Sequence, residues 1–409
     1  MSGLIGVDAT VWANRRGYGR FARGLLPPLA ERVGPDRLVL FLDPLSAEAG
    51  DLPAGVRRVV VPLDQAPTRA ASAQGRRSVA DLLRMGRAAA AAPLDLFFFP
   101  TAYTYFPILR PSRTVLTIHD VIAERHPELV FPRRRLAWFW RTKMLLARLQ
   151  ADLVLTVSEA SRRAIVRQFH LAPDKVRVVP EGAEATFHPR PDGRASAAAL
   201  ARYGLTPAER FVLYVGGISP HKNLDMLMRS FGALVNHPCF ADVRLVLVGD
   251  YSGDSFHSCY ADLIRLRTAL GLERHVSFTG YVPDADLAEL YSAALALIMP
   301  SFEEGFGLPV LEAMASGTAV VASGRGSLPE VLGGAGRLFD PASDADLTLA
   351  LDEVLGDERR RGDMIRRGLE RARAYTWARS AEAVARAFED LLKGRRTDWP
   401  HRAQQRGKA

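Results

Sequence analysis

The feature that most constrains the fold is a doubled alternation: short apolar runs, each followed by a helical pattern, in two series separated by a stretch rich in Pro, Gly and Ala. Short runs of Leu, Phe and β-branched residues without polar alternation read as strands buried on both faces. Alternating with helices, such strands build parallel sheets covered by crossover helices. The first series predicts strands at 4–8, 38–42, 56–61, 94–98, 114–118, 153–157 and 176–179, and the second at 211–215, 243–248, 276–279, 294–299 and 319–322. A chain of 409 residues is long for one core. The expected organisation is one Rossmann-like domain over 1–190 and a second over 205–375, joined by a linker near 188–208, with a cleft between them.

Composition narrows the function classes. Hydrophobic residues at 48% and charged residues at 24% fit a globular protein. Two cysteines, Cys239 and Cys259, cannot make a disulfide framework, and no CxxC or Cys/His cluster points to a metal. The N-terminal MSGLIGVDATVW reads as a first buried strand and not a leader, and no apolar run reaches the length of a membrane span, so a cytoplasmic location is expected. The net charge of +9 favours an anionic partner without choosing between nucleotide phosphates, a lipid surface and nucleic acid. Residues 64–92 read as a mobile insertion, and 394–409 as a disordered basic tail. Residues 378–392 form an amphipathic pattern that follows the large aromatics Tyr375 and Trp377.

The most informative segment is PSFEEGFGLPVLEAMASG at 300–317. A strand ends, a loop carries Gly305 and Gly307, and Pro309 stands where a helix begins. Glycines admit close approach of backbone amides, and a helix start presents unpaired donors, so the loop suits a phosphate. Glu312, one turn into the helix, is placed to accept from ribose hydroxyls, and Glu304 on the loop to meet sugar hydroxyls. In YVGGISPHKNLDMLMRSF at 214–231, a strand runs into Gly216 and Gly217, then Ser219, with Lys222 at a predicted helix start. A cation there is disfavoured unless an anion offsets it.

These segments resemble the retaining glycosyltransferases of family 4 with the GT-B fold, whose signature of two glutamates enclosing G-F-G-x-P is reproduced by EEGFGLPVLE. The resemblance covers about residues 3–392 and implies an α/β protein of two Rossmann-like parallel-sheet domains facing across a cleft, with the helix at 376–393 packing back on the first. It implies that Glu312 binds ribose, Glu304 the donor sugar, Phe306, Gly307 and Leu308 phosphate through their backbone, and Lys222 the diphosphate, with Gly217 and Ser219 beside it. Ile218 and Ser219 stand where family members often carry an Arg, so the resemblance implies one cation plus smaller donors, as in the mannosyltransferase-like branch. The backbone at Tyr281, Val282 and Pro283 is implied to read the base. Asp284 and Asp286 after Pro283 read as first-turn acids and not a metal pair. In the first half, Gly17 and Gly19 precede a helix and are implied to line the cleft near diphosphate and acceptor, and His119 in LTIHD to point at the donor sugar. The catalytic set is thus His119, Glu304 and Lys222, with no cofactor beyond the donor and no metal.

Other features carry less. His126 reads as structural, Ser158 as a helix cap with Glu159 and Ser161 behind it, and Arg162 as a candidate contact to acceptor or phosphate; Glu181 occupies the family's pre-linker motif. FPRRRLAWFWRTKMLLARL at 131–149 interleaves cations with Trp138, Phe139 and Trp140. It reads either as a crossover helix with one packed apolar face or as a helix touching an anionic membrane, which suits a lipid-linked acceptor as well as a plain saccharide. Two other readings stay open. Gly17, Gly19 and Ala22, with Asp43 further on, partly match a dinucleotide fingerprint for a nicotinamide-dependent oxidoreductase, although Thr10–Arg16 intervene after the strand. The charge also allows a non-enzymatic binder of anionic surfaces.

Overall fold

The computed structural model describes residues 3–14, 17–67, 78–109, 112–131, 134–190, 195–251 and 258–394. Two parallel sheets organise the chain. The first holds β1 (Ile5–Asp8), β2 (Leu38–Leu42), β3 (Arg57–Val60), β4 (Leu96–Phe99), β5 (Arg113–Thr117), β6 (Leu153–Thr156) and β7 (Val176–Val178), in the order β3-β2-β1-β4-β5-β6-β7. The second holds β8 (Phe211–Val215), β9 (Arg244–Val248), β10 (Val276–Gly280), β11 (Ala296–Met299), β12 (Ala319–Ser323) and β13 (Arg337–Phe339), in the order β10-β9-β8-β11-β12-β13. Each sheet reverses its winding beside its first strand. Val7 of β1 lies opposite Leu40 on one side and Phe98 on the other, and Leu213 of β8 opposite Val246 and Leu297. Ligands of open α/β sheets bind beyond the strand ends at such switch points.

The central strands are buried along their whole length, as continuous apolar runs require. Edge strands depart from that expectation, β10 among them with only Val276 buried. β3 is an edge strand with three exposed residues, and β13, absent from the sequence reading, is a three-residue edge strand in which only Phe339 is buried. Residues 64–92 are also not wholly an insertion. Helix Val79–Ala91 forms there, and buried Asp81 accepts the amides of Asp64 and Gln65 and the guanidinium of Arg84, which ties the segment down; 68–77 lie outside the described residues. The predicted linker contains helix Ala197–Ala201, capped by Ser196, with 191–194 outside the description. Of the basic tail only residue 394 is described.

Helix Trp377–Leu392 crosses to the first sheet. Trp377 meets Phe21 edge-on at 5.8 Å, and Phe388 meets Phe98 at 5.3 Å. Gly24 makes room for it, because a Cβ there would stand 2.1 Å from the Trp377 indole.

Candidate active site

Between the two sets of strand ends lies a cavity of about 1110 Å³, bounded by segments that follow β1, β4, β5, β8, β9, β10 and β11. Gly17, His119, Gly217, Ser219, Lys222, Tyr281, Val282, Glu304, Gly305, Phe306, Gly307 and Leu308 all line it. Of the sequence candidates, Gly19, Pro283 and Glu312 are not among the lining residues. Gly19 packs behind the loop, where a Cβ would stand 2.0 Å from the Asn14 carbonyl, and Pro283 caps helix Asp284–Ala293.

On the second domain, the loop after β11 is held from both sides. Ser327 Oγ donates to the carbonyls of Glu304 and Phe306, and Gly307, at φ 95°, turns the chain into helix Leu308–Ala315 with Pro309 in its first turn. Glu304 Oε1 accepts from Lys222 Nζ at 2.7 Å and from Ser301 Oγ at 2.6 Å. Burial alone would push the Glu304 carboxyl up, but Lys222, Ser301 and His221 together hold it below the ordinary value. The anion that offsets Lys222 is therefore the chain's own Glu304. Lys222 also stands on a short turn, Pro220–Lys222, and not in the first turn of the following α-helix, Leu224–Val235. Asn223, in the left-handed region at φ 58°, breaks between the two and donates to the carbonyls of Pro300 and Pro341. His221 beside it is pushed down to about 4 by burial and by Lys222, so it is neutral near pH 7.

Glu312 is buried in helix Leu308–Ala315, where it accepts from Tyr291 Oη at 3.1 Å and faces Arg20 Nη2 at 2.7 Å. Burial raises its carboxyl to about 7 against the pull of Arg20. Arg20 comes from helix Gly17–Val33 of the first domain and also faces Asp284 at 3.5 Å and Glu184 at 3.9 Å. Burial opposes its charge, and those acids outweigh it. Arg20 had no place among the sequence candidates. The signal existed: a cation in the first turn of a helix needs an anion, as was argued for Lys222.

On the first domain, His119 Nε2 lies 3.0 Å from the Pro100 carbonyl, which can only accept, so Nε2 carries the proton. Nδ1 faces Glu181 at 3.6 Å, and Phe21 meets the ring edge-on. Burial raises both the Glu181 and Asp120 carboxyls. Asp120 caps the turn at Ile122. The two domains touch directly here. Ser158 and Ser161 donate to the Gly305 carbonyl at 2.7 and 3.0 Å, and Glu330 accepts the amides of Glu159 and Ala160. His126 lies 3.7 Å from Glu303, which also takes Arg125 at 2.5 Å.

Two expectations change, for Arg162 and Asp43, while Asp284 and Asp286 stand in the first turn of helix Asp284–Ala293 as expected. Arg162 turns away from the cleft to the carbonyls of Val176 and Pro173. Asp286 pairs with Arg202 and Tyr203, whereas Asp284 lines the cavity toward Arg20. Asp43 is buried at the start of helix Pro44–Glu48 and does not line the cavity, so the dinucleotide reading loses its acid.

Comparison with known proteins converges with this geometry. The family model of glycosyl transferases group 1 matches residues 199–371, and that of glycosyltransferase family 4 matches 29–187. The O-antigen chain mannosyltransferase B of Escherichia coli is 34% identical over 284 residues, 69% of this chain and 71% of that one. Among solved structures, sucrose-phosphate synthase from Thermosynechococcus elongatus superposes with a TM-score of 0.73 at 21% identity over 96% of this chain and 99% of that one. HepE of Anabaena, in complex with UDP and glucose, superposes at 0.69 with 20% identity over 95% and 99%. A second half built around the Glu304–Glu312 loop, a first half that meets it across a cleft, and these matches over both halves have one reading: the chain belongs to glycosyltransferase family 4, the glycosyl transferases group 1, and is a glycosyltransferase of the GT-B fold.

Proposed function

We propose that this glycosyltransferase takes a hexose, in the first instance mannose from GDP-mannose, from a nucleotide-diphosphate sugar and passes it with retention to a hydroxyl of a saccharide or lipid-linked acceptor. The observation that carries the reading is the convergence on one cavity wall of Lys222, the loop at Phe306, Gly307 and Leu308, and the start of the helix that holds Glu312. A diphosphate seated there draws Lys222 from Glu304, which frees that carboxylate for the sugar hydroxyls. As the anomeric C–O bond breaks, the nucleoside diphosphate leaves with the bonding electrons, and Lys222 and the loop amides stabilise the growing charge. The acceptor oxygen attacks on the face just vacated, and its proton passes to the departing diphosphate oxygen. The site positions and polarises without a covalent nucleophile.

Charge neutralisation is assigned to Lys222 and the loop amides; among the described residues no three His, Cys, Asp or Glu stand together as a metal site. The mannose choice rests on the branch resemblance and on the printed activity of the Escherichia coli relative. The nucleotide-sugar choice is supported by the UDP and glucose in HepE. We place the protein at the cytoplasmic face of a membrane as a peripheral partner; no described helix is long and apolar enough to cross one. Nucleic acid is not an expected partner. Thermal-shift measurement with a panel of nucleotide sugars tests the reading, since a ligand at a hundred times its dissociation constant adds about 2.7 kcal/mol. A panel without any shift overturns it.

A further inference from the structure

Helix Arg134–Gln150 is apolar on two opposite faces, and the described residues cover only one of them. The inner face carries buried Met144 and Ala147, with Trp140 donating from Nε1 to Glu124 at 2.7 Å and Lys143 lying over the Trp140 ring at 4.1 Å. The outer face carries Trp138, 69% exposed, and Leu149, 73% exposed, with Phe139, Leu145 and Leu146 about half exposed. At helical spacing these five side chains fall within one sector of about 120°. They are five of the fourteen large apolar side chains exposed among the described residues, which makes this a patch and not a scatter. Arg134 and Arg141 run along one edge of the sector, Arg135 lies in its first turn, and all three are exposed.

We propose that this outer face docks on an anionic lipid bilayer, with the aromatic and leucine side chains in the headgroup region and the arginines on acidic headgroups. The charge selects this occupant. In a symmetric contact between two copies, the arginines of one would meet those of the other, whereas anionic headgroups complement them. The placement deepens the lipid-linked acceptor reading and rests on it. The helix's inner face abuts Phe131 and the apolar cluster Ile122, Ala123 and Val130, which lines the cleft, and Lys143 bonds the carbonyl of Tyr103, whose ring stacks on Tyr18 at the cleft wall. An acceptor anchored in the bilayer thus has an apolar path from the helix to the cavity.

Flotation of the full chain with vesicles of phosphatidylcholine plus phosphatidylglycerol, against phosphatidylcholine alone, tests the docking. Binding is expected on the anionic vesicles and is expected to weaken with salt. Trp138→Glu with Leu145→Glu and Leu149→Glu is expected to lower the partition coefficient about a hundredfold. Replacing Arg134, Arg135 and Arg141 by Gln is expected to cost about fivefold per charge. Nucleotide-sugar thermal shifts are expected to be retained in both variants, which reports folding and separates failure of docking from failure of the donor reading. Absence of wild-type flotation at low salt overturns the proposal. So does an acidic triple variant that floats like wild type, or a wild-type dimer that the triple variant abolishes without any vesicle binding.

Discussion

Arg20 reaches across the cleft and places Nη2 2.7 Å from Oε1 of Glu312, so the carboxylate that the family resemblance assigns to ribose is held in this structure by a guanidinium of the opposite domain. Glu312 is buried and Arg20 half-buried, and the enclosed Arg20 Nη2 makes no well-formed hydrogen bond despite the short separation. The contact is an ion pair that a better acceptor arrangement can rearrange. It ties the ionisation of the carboxylate proposed for ribose to a guanidinium of the opposite domain.

That linkage gives a pH dependence. With its carboxyl raised to about 7, Glu312 is mostly protonated near pH 6 and mostly ionised near pH 8, and ribose hydroxyls are best received by the ionised form. Nucleoside diphosphate affinity is expected to rise by about tenfold between about pH 6 and pH 8. Glu312→Gln is expected to flatten the profile and to weaken binding by about 1.5 to 3 kcal/mol at the upper end. Arg20→Met removes attraction while burial remains, so the midpoint moves upward. For folding the sign is opposite: a carboxyl raised in the native state holds its proton more tightly there, and its contribution to stability falls as pH climbs from the ordinary glutamate range to about 7. Calorimetry across pH on the wild type and both variants decides; a flat wild-type profile refutes the assignment.

Gly305 sets how closely the domains approach. A Cβ at this position would lie 2.9 Å from the His119 carbonyl and 3.2 Å from Asp120 Cβ, both of the opposite domain. Gly305→Ala is expected to hold the cleft open and lower kcat/KM about tenfold or more, with nucleotide affinity less affected. Steady-state kinetics beside nucleotide titration read the two effects separately. Equal losses in both would place the damage in the donor loop and not in closure.

Divalent metal is expected to be dispensable, because the charge on the leaving diphosphate is met by Lys222 and backbone amides. Transfer is measured after exhaustive chelation. A complete loss restored by magnesium or manganese contradicts this.

The residues that were legible in the sequence are those whose structural reason is local. Apolar runs such as LVLFL and FVLYV make central strands, and EEGFGLPVLE makes a strand-to-helix loop, because strand burial and helix starts depend on neighbouring residues. β13 was not legible: three residues set among Gly333, Gly334 and Gly336 leave no period to read, and pairing with β12 creates the strand. Arg20 is not legible because its partner Glu312 stands in the other domain, and the Lys222–Glu304 pair is not legible because its two residues lie 82 positions apart. Helix Arg134–Gln150 had two incompatible readings, and both faces exist: the inner one packs, and the outer one stays exposed.

Lys222 is the residue on which the proposed mechanism leans most, and its pairing with Glu304 makes two roles separable. In the structure it offsets a largely enclosed carboxylate; in the proposed reaction it meets a diphosphate whose charge grows as the glycosidic bond breaks, so there it matters more in the transition state than in the bound ground state. Lys222→Ala is expected to lower kcat/KM by about 30- to 1,000-fold, with a fall in kcat as well as in affinity, because Ile218 and Ser219 supply no second cation. It also leaves Glu304 buried without its partner, which costs stability and returns that carboxyl upward, so acid unfolding begins at higher pH. A carboxyl held below its ordinary value contributes stability above that value and loses it as pH falls through the native one. Adding Glu304→Gln to Lys222→Ala removes the unpaired charge and is expected to restore much of the stability while leaving activity low. Lys222→Arg keeps the charge but changes its reach and shape, and is expected to rescue only in part. Urea unfolding and steady-state kinetics of the three variants separate the roles. A folded Lys222→Ala protein with near wild-type turnover means that the loop does not hold the diphosphate, and a double variant no more stable than the single one means that the ion pair is not what Lys222 contributes to the fold.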